Sequence, residues 1–420
     1  MPMPEIGRRA FAFGALAAGA ALAANPSLSL AAADPKLRPI TDGVDPIGAA
    51  ERLQRLEKAR ALMRRHGLGS ILVEPGASLD YFTGVQWWRS ERLIAALIPV
   101  EGAPIVFTPF FEEPSVRESL GIPAEIRTWD EHEDPLRLVA GALRDLKLAG
   151  RPVGIEETVR FFAVDGLRRA LPKAEIRSAA PVVRGCRMIK SPHELRLMQK
   201  AADVTIAAYR HTRPRIEKGM TPADIAAMMN GATSALGGTP GFALILLGEA
   251  SAYPHGSGKP QQVREGEVVL MDCGCTVHGY QSDISRTFVF GEANAEQRRV
   301  WGHMRKGQDI AFAAARVGAP AGSVDDSVRR YYESLGYGPG YKLPGTSHRT
   351  GHGIGLEGHE PVNFVHGETT RLAPGMCFSN EPGIYLPGRF GIRLEDCLYM
   401  TETGPRWFSE PPPSIDRPFG

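Results

Sequence analysis

The sequence predicts a protein of two domains, a smaller α/β domain over about residues 47–184 and a larger α+β domain over about residues 185–412. At 420 residues, the chain exceeds the roughly 250 to 300 residues at which a single core stops growing. Short apolar runs alternate with helical patterns in the first half, whereas long helices precede closely spaced, glycine-punctuated strands in the second half. A composition of 43% apolar and 23% charged residues is typical of a globular protein.

Helical and strand-like patterns alternate through the smaller domain. Residues 49–65 carry apolar side chains at helical spacing, and Gly67 ends that pattern. A second helix is predicted over residues 134–146. The runs that predict strands are residues 70–73, 93–100, 104–108 and 152–155. Such alternation is typical of an α/β layer.

The larger domain begins with a helix-start signal. Ser191 is a cap residue, Pro192 occupies the first helical position and Glu194 the third, so a helix is predicted over 191–213. A similar start at Thr221 announces a second helix. The remaining predicted elements are a strand, a turn near 276–279 and a second strand over 263–290, helices over 294–316 and 322–335, and strands from 345 to 400. We expect these strands to be antiparallel.

The charge balance argues against one class of partner. Lys and Arg total 49 against 47 Asp and Glu, which gives a formal net charge of +2. Nucleic-acid-binding proteins carry a strongly basic surface, and this chain has no such excess. The sequence therefore predicts no DNA or RNA partner.

The N-terminus has the pattern of an export signal. Arg8 and Arg9 precede a weakly apolar Ala- and Gly-rich run over 10–24, and small residues end at Ala33. This pattern resembles a twin-arginine signal, with cleavage after Ala33 and a linker over 34–46. The alternatives are a membrane anchor or an ordinary helix, but the run is short for a bilayer core of roughly 30 Å. We expect a periplasmic or secreted protein without a stable membrane anchor after cleavage.

The cysteines do not predict a disulfide framework. Cys186, Cys273, Cys275, Cys377 and Cys397 include no CxxC pair, and an odd number cannot all pair within the chain. Cys273 and Cys275 are interpreted as small buried apolar residues. Pairing of Cys377 with Cys397 stays open at this point.

Six acidic or imidazole side chains lie in unusual local contexts. Asp272 ends an apolar strand-like run, where a carboxylate is costly unless a cation accompanies it, and Asp283 follows after a turn. His352 and His359 frame a glycine-rich segment in which the backbone can approach a ligand closely. Glu381 and Glu395 each stand beside apolar strand residues. Each of these residues alone is also compatible with a turn, a surface or a satisfied core position.

Together these segments resemble, in order and in context, the metallopeptidase family of methionine aminopeptidase, aminopeptidase P and prolidase, family M24. The resemblance is strong over about residues 185–405 and implies the α+β fold called pita-bread. Residues 47–184 resemble, more weakly, the creatinase-type N-terminal domain. The family's chemistry is metal-assisted hydrolysis, with a hydroxide that bridges two metals as the nucleophile.

The resemblance assigns metal ligands by position. Asp272 would hold one metal, Asp283 and Glu395 would bridge the two, and His352 and Glu381 would complete the second site. Four carboxylates and one imidazole without a thiolate favour Mn(II), with Co, Fe or Zn as alternatives. Close carboxylate pairs repel by roughly 4 kcal/mol at an effective dielectric of 20, so bound cations should also stabilise the fold.

Further roles are implied for residues around the metals. Glu381 would also shuttle the proton, and His255 and His359 resemble the histidines that hydrogen-bond the peptide. Three positions resemble those that line the proline side of the bond in aminopeptidase P and prolidase: His348, Tyr385 and Arg393. The sequence departs from the family pattern at Gly358, where many members have a β-branched residue, and at Cys273 and Cys275. Three neighbours in the smaller domain could reach the cleft or simply pack: Trp87, Trp88 and Arg89.

The leading prediction is an exopeptidase that cleaves between an N-terminal residue and proline, with peptides carrying proline at the second position as substrates. The alternative in the same fold is a metal-dependent hydrolase or lyase of a small non-peptide metabolite, because a fold does not determine a substrate. A metal-free creatinase-type enzyme and a binding protein without catalysis are disfavoured because all five ligand positions are filled. By analogy with relatives, we expect a homodimer or a higher homo-oligomer.

Overall fold

The computed structural model of the protein describes residues 37–419. The predicted signal over residues 1–33 and the first residues of the predicted linker lie outside the described residues. Within the described range, no helix combines the length and apolar character that crossing a bilayer requires.

The N-terminal domain is a six-stranded sheet with helices on both faces. Its elements are α1 (Ala49–His66), β1 (Ser70–Val73), α2 (Ala77–Thr83), β2 (Ala95–Pro99), β3 (Ile105–Pro109), α3 (Glu113–Ser119), β4 (Glu125–Trp129), α4 (Pro135–Asp145), β5 (Val153–Ile155), α5 (Phe161–Ala170), β6 (Ile176–Ser178) and α6 (Ala180–Arg187). The strand order is β4-β3-β2-β1-β5-β6, with β2 antiparallel to both of its neighbours. Strands β1 to β3 are buried throughout, which explains their continuous apolar runs.

The C-terminal domain combines long helices with antiparallel sheets. Its elements are α7 (Pro192–Thr212), α8 (Pro222–Ala235), β7 (Thr239–Leu247), β8 (Val268–Val277), β9 (Tyr280–Gln281), β10 (Ile284–Val289), α9 (Ala295–Ala314), α10 (Gly322–Ser334), β11 (Gly351–Gly353), β12 (Glu360–Phe364), β13 (Cys377–Asn380), β14 (Gly383–Leu386), β15 (Phe390–Arg393), β16 (Asp396–Thr401) and β17 (Gly404–Trp407). One sheet has the order β10-β8-β7, a second has the order β12-β11-β13-β16-β17, and β14 pairs with β15. All these pairs are antiparallel, as expected.

Local capping explains why the long helices begin where the sequence predicts. Ser191 accepts a hydrogen bond from the backbone of Glu194, whose carboxylate accepts one from the backbone of Ser191. The same reciprocal arrangement starts α8 at Thr221 and α9 at Asn294. At the other end of a helix, Gly67 adopts a left-handed conformation with φ of 68° and terminates α1.

The domain edges differ in detail from the expected boundaries. The described part of the predicted linker packs on the C-terminal domain, where the backbone N–H of Ile40 donates to the carbonyl of Leu236 at 3.0 Å. Helix α6 continues through the predicted boundary after residue 184, and its Cys186 lies in the core of the N-terminal domain. Residues beyond 412 are also packed, since Ile415 is buried. The five cysteines are free and buried, so Cys377 and Cys397 form no disulfide.

A fully buried arginine fastens the C-terminal segment to the second sheet. The guanidinium of Arg286 forms an ion pair with Asp396 at 2.7 Å and donates to the backbone carbonyl of Glu395 at 2.9 Å. It also donates to the carbonyls of Glu410 at 3.3 Å and Pro418 at 3.0 Å. Since the side chains of Arg286 and Asp396 are both fully buried, removing one of them would leave the other uncompensated.

The two domains meet at a buried ionic cluster. Glu360 accepts from the ammonium of Lys190 at 2.9 Å and from the guanidinium of Arg187 at 2.6 Å. Burial opposes ionisation of Glu360, but the two cations lower its pKa to about 2. Arg187 also contacts the half-exposed carboxylate of Glu357 at 2.6 Å.

The substitution Glu360→Gln should destabilise the protein strongly, because it leaves the charge of Lys190 buried without its partner. We expect a loss of about 3 to 5 kcal/mol in the free energy of unfolding, measured by urea denaturation at neutral pH. Glu357→Gln is the matched control and should cost at most about 1 kcal/mol. Because the folded pKa of Glu360 is depressed, its contribution is present above the unfolded value of 4.5 and is lost as pH falls towards about 2. Equal losses in the two variants would contradict the assignment.

Candidate active site

A cavity of about 600 Å³ lies in the C-terminal domain and collects most of the predicted site residues. All five predicted metal ligands line it, together with four of the five predicted substrate-side residues. The nine are Asp272, Asp283, His352, Glu381, Glu395, His255, His348, His359 and Arg393. The tenth, Tyr385, is fully buried and contacts two of these residues through its hydroxyl group.

The two aspartates reach the cavity from neighbouring strands of the first sheet. Asp272 lies within β8, opposite Ser285 of β10. Asp283 was expected within the second strand, but it lies in a two-residue break between β9 and β10. At this break the carbonyl of Ser282 approaches Gly274 so closely that a Cβ there would meet it at 2.2 Å. The glycine between the two cysteines is therefore required by a close approach of two backbones.

His352 is held with one ring nitrogen free for a ligand. Its Nδ1 lies 3.0 Å from the carbonyl oxygen of Gly353, which can only accept, so Nδ1 carries the proton. The Nε2 atom then presents a lone pair towards Glu381 Oε1 at 3.3 Å and Asp283 Oδ2 at 3.7 Å. Burial, and then the charge of the neighbouring His359, lower the pKa of His352 to about 3. A neutral imidazole fixed in this tautomer is competent to bind a metal.

Glu381 and Glu395 stand at strand ends of the second sheet. The backbone of Glu381 donates to the carbonyl of Thr350 at 2.9 Å directly after β13. Glu395 lies between β15 and β16 and exchanges two backbone hydrogen bonds with Ser285, at 3.0 and 3.2 Å. This exchange joins the two sheets at the site, so that ligands from both sheets share one cavity.

Burial and mutual repulsion oppose ionisation of the carboxylates of the cavity. Burial and the charges of neighbouring acids raise the pKa values of Asp283 and Glu395 well above the ordinary range, and burial raises that of Glu381 to about 7. Asp272 Oδ1 and Glu395 Oε1 are buried without a hydrogen-bond partner. Such orphaned acceptors fit divalent cations, which would neutralise the acids and occupy their free lone pairs.

The potential ligand atoms form three overlapping groups, and within each group all of the atoms lie within 4.8 Å of one another. Their members are Asp272, Asp283 and Glu395, then His352, Glu381 and Glu395, and finally Asp283, His352 and His359. The first two groups together contain the five predicted ligands and share Glu395, whereas Asp283, the other predicted bridging residue, meets His352 only in the third group. The third brings His359 closer to the metal donors than its expected role on the substrate side required.

A chain of hydrogen bonds joins a metal donor to the predicted proline side. Arg393 pairs with Asp272 Oδ2 at 2.7 Å and donates to the hydroxyl oxygen of Tyr385 at 3.1 Å. The hydroxyl group of Tyr385 donates to His348 Nε2 at 2.7 Å, because His348 Nδ1 donates to the carbonyl of Arg349 at 2.7 Å. Burial, and then the charge of Arg393, lower the pKa of His348 to about 3. The histidine is therefore neutral.

Ser285 connects both halves of the site and was missed in the sequence. Its hydroxyl oxygen accepts from Arg393 Nε at 3.0 Å, and its proton is donated to Glu395 Oε2 at 2.8 Å. In the sequence, Ser285 follows Asp283 by two residues in a predicted strand, where alternation puts both on one face, and that signal could have identified it. Arg349 lines the cavity as well and had no motif to indicate it.

The tryptophan pair does not reach this cavity. Trp87 and Arg89 line a separate pocket of about 380 Å³, to which the C-terminal domain contributes Glu357, and Trp88 is 68% exposed. The two indoles stack at 5.0 Å between ring centroids. The two tryptophans thus contact each other, and neither lines the cavity of the predicted metal ligands.

Two family descriptions match the chain in the same order as the two domains. The creatinase/prolidase N-terminal domain matches residues 55–189, and metallopeptidase family M24 matches residues 196–402. The chain belongs to metallopeptidase family M24. The predicted resemblance, the pita-bread C-terminal fold and the creatinase-like N-terminal domain are thereby confirmed.

Individual relatives cover nearly the whole of both chains. A probable dipeptidase PepE from Mycobacterium bovis is 34% identical over 360 residues, which are 84% of this chain and 92% of the relative. An Xaa-Pro dipeptidase from Pyrococcus furiosus is 28% identical over 84% of this chain and 96% of its own length. The crystal structure of dipeptidase PepE from Mycobacterium ulcerans has a TM-score of 0.80 and 31% identity, covering 88% and 98% of the two chains. The M24 protein described here is a metal-dependent hydrolytic peptidase.

Added Mn(II) should stabilise the metal-stripped protein, and more strongly as the pH rises. The pKa values of Asp283 and Glu395 are raised in the folded protein, so without metal these carboxyl groups keep protons that they have already released in the unfolded chain. The stability of the metal-free protein therefore falls as the pH increases. Metal displaces those protons, and we expect a larger increase in Tm at about pH 7.5 than at about pH 5.5. At 100 times the Kd the gain approaches about 2.7 kcal/mol.

The control for this experiment compares two aspartates. Asp283→Asn should abolish most of the increase in Tm with metal, whereas Asp309→Asn, at a surface position on α9, should keep it. A metal-induced shift in the Asp283→Asn variant as large as that of the wild type would contradict the ligand assignment.

Proposed function

We propose that the protein is a two-metal exopeptidase that hydrolyses the bond between an N-terminal residue and proline. The observation that carries this proposal is the buried chain of hydrogen bonds from Asp272 through Arg393 and Tyr385 to His348, which forms a rigid wall of no net charge beside the predicted metal donors. A neutral wall suits a pyrrolidine ring, because proline has no N–H to satisfy. The names of relatives as Xaa-Pro dipeptidases support the same substrate class.

Two divalent ions, in our proposal Mn(II), fit the donor set of the cavity. Asp272, Asp283 and Glu395 would hold one ion, and His352, Glu381 and Glu395 would hold the other. When bound, the ions supply an activated water as nucleophile and polarise the scissile carbonyl group. A donor set of carboxylate oxygens and one imidazole suits Mn(II).

The protein's own residues would manage protons and orientation. Glu381, whose pKa burial raises to about 7, would take the proton of the attacking water and return it to the leaving nitrogen. His359 Nδ1 accepts from Arg349 at 3.2 Å, so its Nε2 carries a proton that can be donated to the developing oxyanion. His255, exposed at the cavity rim, is suited to hydrogen-bond the peptide.

The test is hydrolysis of Ala-Pro and Ala-Pro-Ala by the metal-stripped protein with and without added Mn(II), with Ala-Ala-Ala as control. We expect cleavage that requires both the metal and proline at the second position. Absence of any cleavage by the metal-loaded protein would overturn the proposal and favour a small non-peptide substrate.

Tyr385→Phe should lower kcat/KM for the better of these proline peptides by about tenfold. The change removes one hydroxyl group and leaves Arg393 and His348 each short of a hydrogen bond in a buried setting. Tyr399→Phe, which alters a β16 tyrosine away from the cavity lining, is the matched control and should retain wild-type kinetics. Equal kinetics in the two variants would remove Tyr385 from the substrate wall.

We also propose that residues 1–33 direct export of the folded protein through the twin-arginine route. The support is the Arg8-Arg9 pair before a weakly apolar run. A reporter fused to residues 1–40 should leave the cytoplasm, and replacing the pair by two lysines should retain it there. Export that is indifferent to this replacement would contradict the proposal.

A further inference from the structure

Two guanidinium groups line the cavity, and they differ in their partners. Arg393 is neutralised by Asp272 at 2.7 Å. Arg349 is only partly buried, and among residues 37–419 no carboxylate lies within 4.0 Å of it. Its guanidinium donates to the neutral ring of His359 at 3.2 Å. Because an arginine side chain is always charged, Arg349 presents to the cavity a positive charge that no carboxylate of the described residues neutralises at contact distance; its charge is felt by Glu381, whose pKa burial raises and this charge lowers.

We propose that Arg349 binds the free α-carboxylate of the residue that follows the scissile bond, so that the enzyme selects dipeptides over longer peptides. This inference rests on the proposed function and assigns the residue that would set peptide length. The planar guanidinium offers paired N–H donors that match a carboxylate, and such charge-assisted pairs are the strong hydrogen bonds of proteins.

Arg349 lies close to the predicted metal donors. Its contact His359 packs on the predicted ligand His352 at 4.0 Å between ring centroids, so the guanidinium lies one side-chain layer from the metal donors. In a dipeptide the carboxylate follows the scissile carbonyl by one residue, a distance of about 3.8 Å along the chain. Each further residue moves the carboxylate about 3.3 to 3.6 Å away and places an uncharged amide beside Arg349.

The backbone around Arg349 is fixed before any ligand arrives. Its own carbonyl accepts from His348, and the carbonyl of His348 accepts from Arg329 at 2.7 Å. On the other side, the backbone N–H and hydroxyl group of Thr350 both donate to the buried carboxylate of Asp325, at 3.1 and 2.7 Å. A charge on a preorganised segment loses little entropy on binding, which favours a specific anion contact.

The experiment compares substrates that differ only at the carboxylate, Ala-Pro and Ala-Pro amide, with Mn(II)-loaded enzyme. We expect the wild type to prefer Ala-Pro by at least about tenfold in kcat/KM, and Arg349→Gln to reduce this ratio to near one. Arg349→Lys should give an intermediate ratio, because it keeps the charge but loses the forked donors. Arg196→Gln, on the exposed face of α7, is the matched control and should keep the wild-type ratio. A ratio between two substrates of the same site is insensitive to partial loss of folded enzyme.

Equal kcat/KM of the wild type for Ala-Pro and its amide would overturn the inference, and so would a wild-type ratio in Arg349→Gln. A binding measurement separates this failure from failure of the proposed function. Calorimetry of the Mn(II)-loaded protein with N-acetyl-proline and N-acetyl-prolinamide should show at least about tenfold tighter binding of the acid, lost in Arg349→Gln. If no proline peptide is cleaved but this difference persists, the proposed function fails while the carboxylate contact stands. Equal binding of the two probes removes the contact whatever the activity.

Discussion

The C-terminal domain is organised around the burial of four carboxylates in one cavity. At an effective dielectric of 20, each close pair repels by roughly 4 kcal/mol, and desolvation adds to that cost. The fold accepts this arrangement because the acids come from two sheets, which are joined at the site by the backbone exchange between Ser285 and Glu395. The metal centre thus lies where the two sheets of the domain are joined, and the binding of cations there is coupled to the stability of this junction.

Buried arginines supply the internal positive charge around this centre. Arg393 faces Asp272, Arg286 faces Asp396, and Arg329 faces Asp325, each at 2.7 Å. Each of these guanidinium groups also donates to backbone carbonyls close to site residues. Fixed ion pairs with saturated hydrogen bonds hold the ligand-bearing segments in place without extra secondary structure.

The sequence was informative where the signal was local or chemical. The start of a helix is determined by a few neighbouring residues, such as the capping pair Ser191 and Glu194. Metal ligands are restricted to a few residue types, which makes candidates recognisable in a sequence. The short helices α2 and α3 were missed, since each has seven residues and no side-chain cap. The domain ends and the break at Asp283 also escaped sequence reasoning. They depend on contacts between segments far apart in the chain, as the approach of Ser282 to Gly274 and the packing of residues 37–47 illustrate.

The hydrogen bonds from Arg286 to residues 410–418 link completion of the site to synthesis of the C-terminal residues. The same guanidinium supports the carbonyl of Glu395, so the support of a ligand segment is completed by residues that are translated after all five predicted ligands. Because a chain is made from its N-terminus, the N-terminal domain can fold while the centre still lacks this support. A ribosome-bound chain that has not passed Pro418 therefore carries all of the ligands but an unfinished site. Maturation of the enzyme in this sense requires synthesis of the chain as far as Pro418.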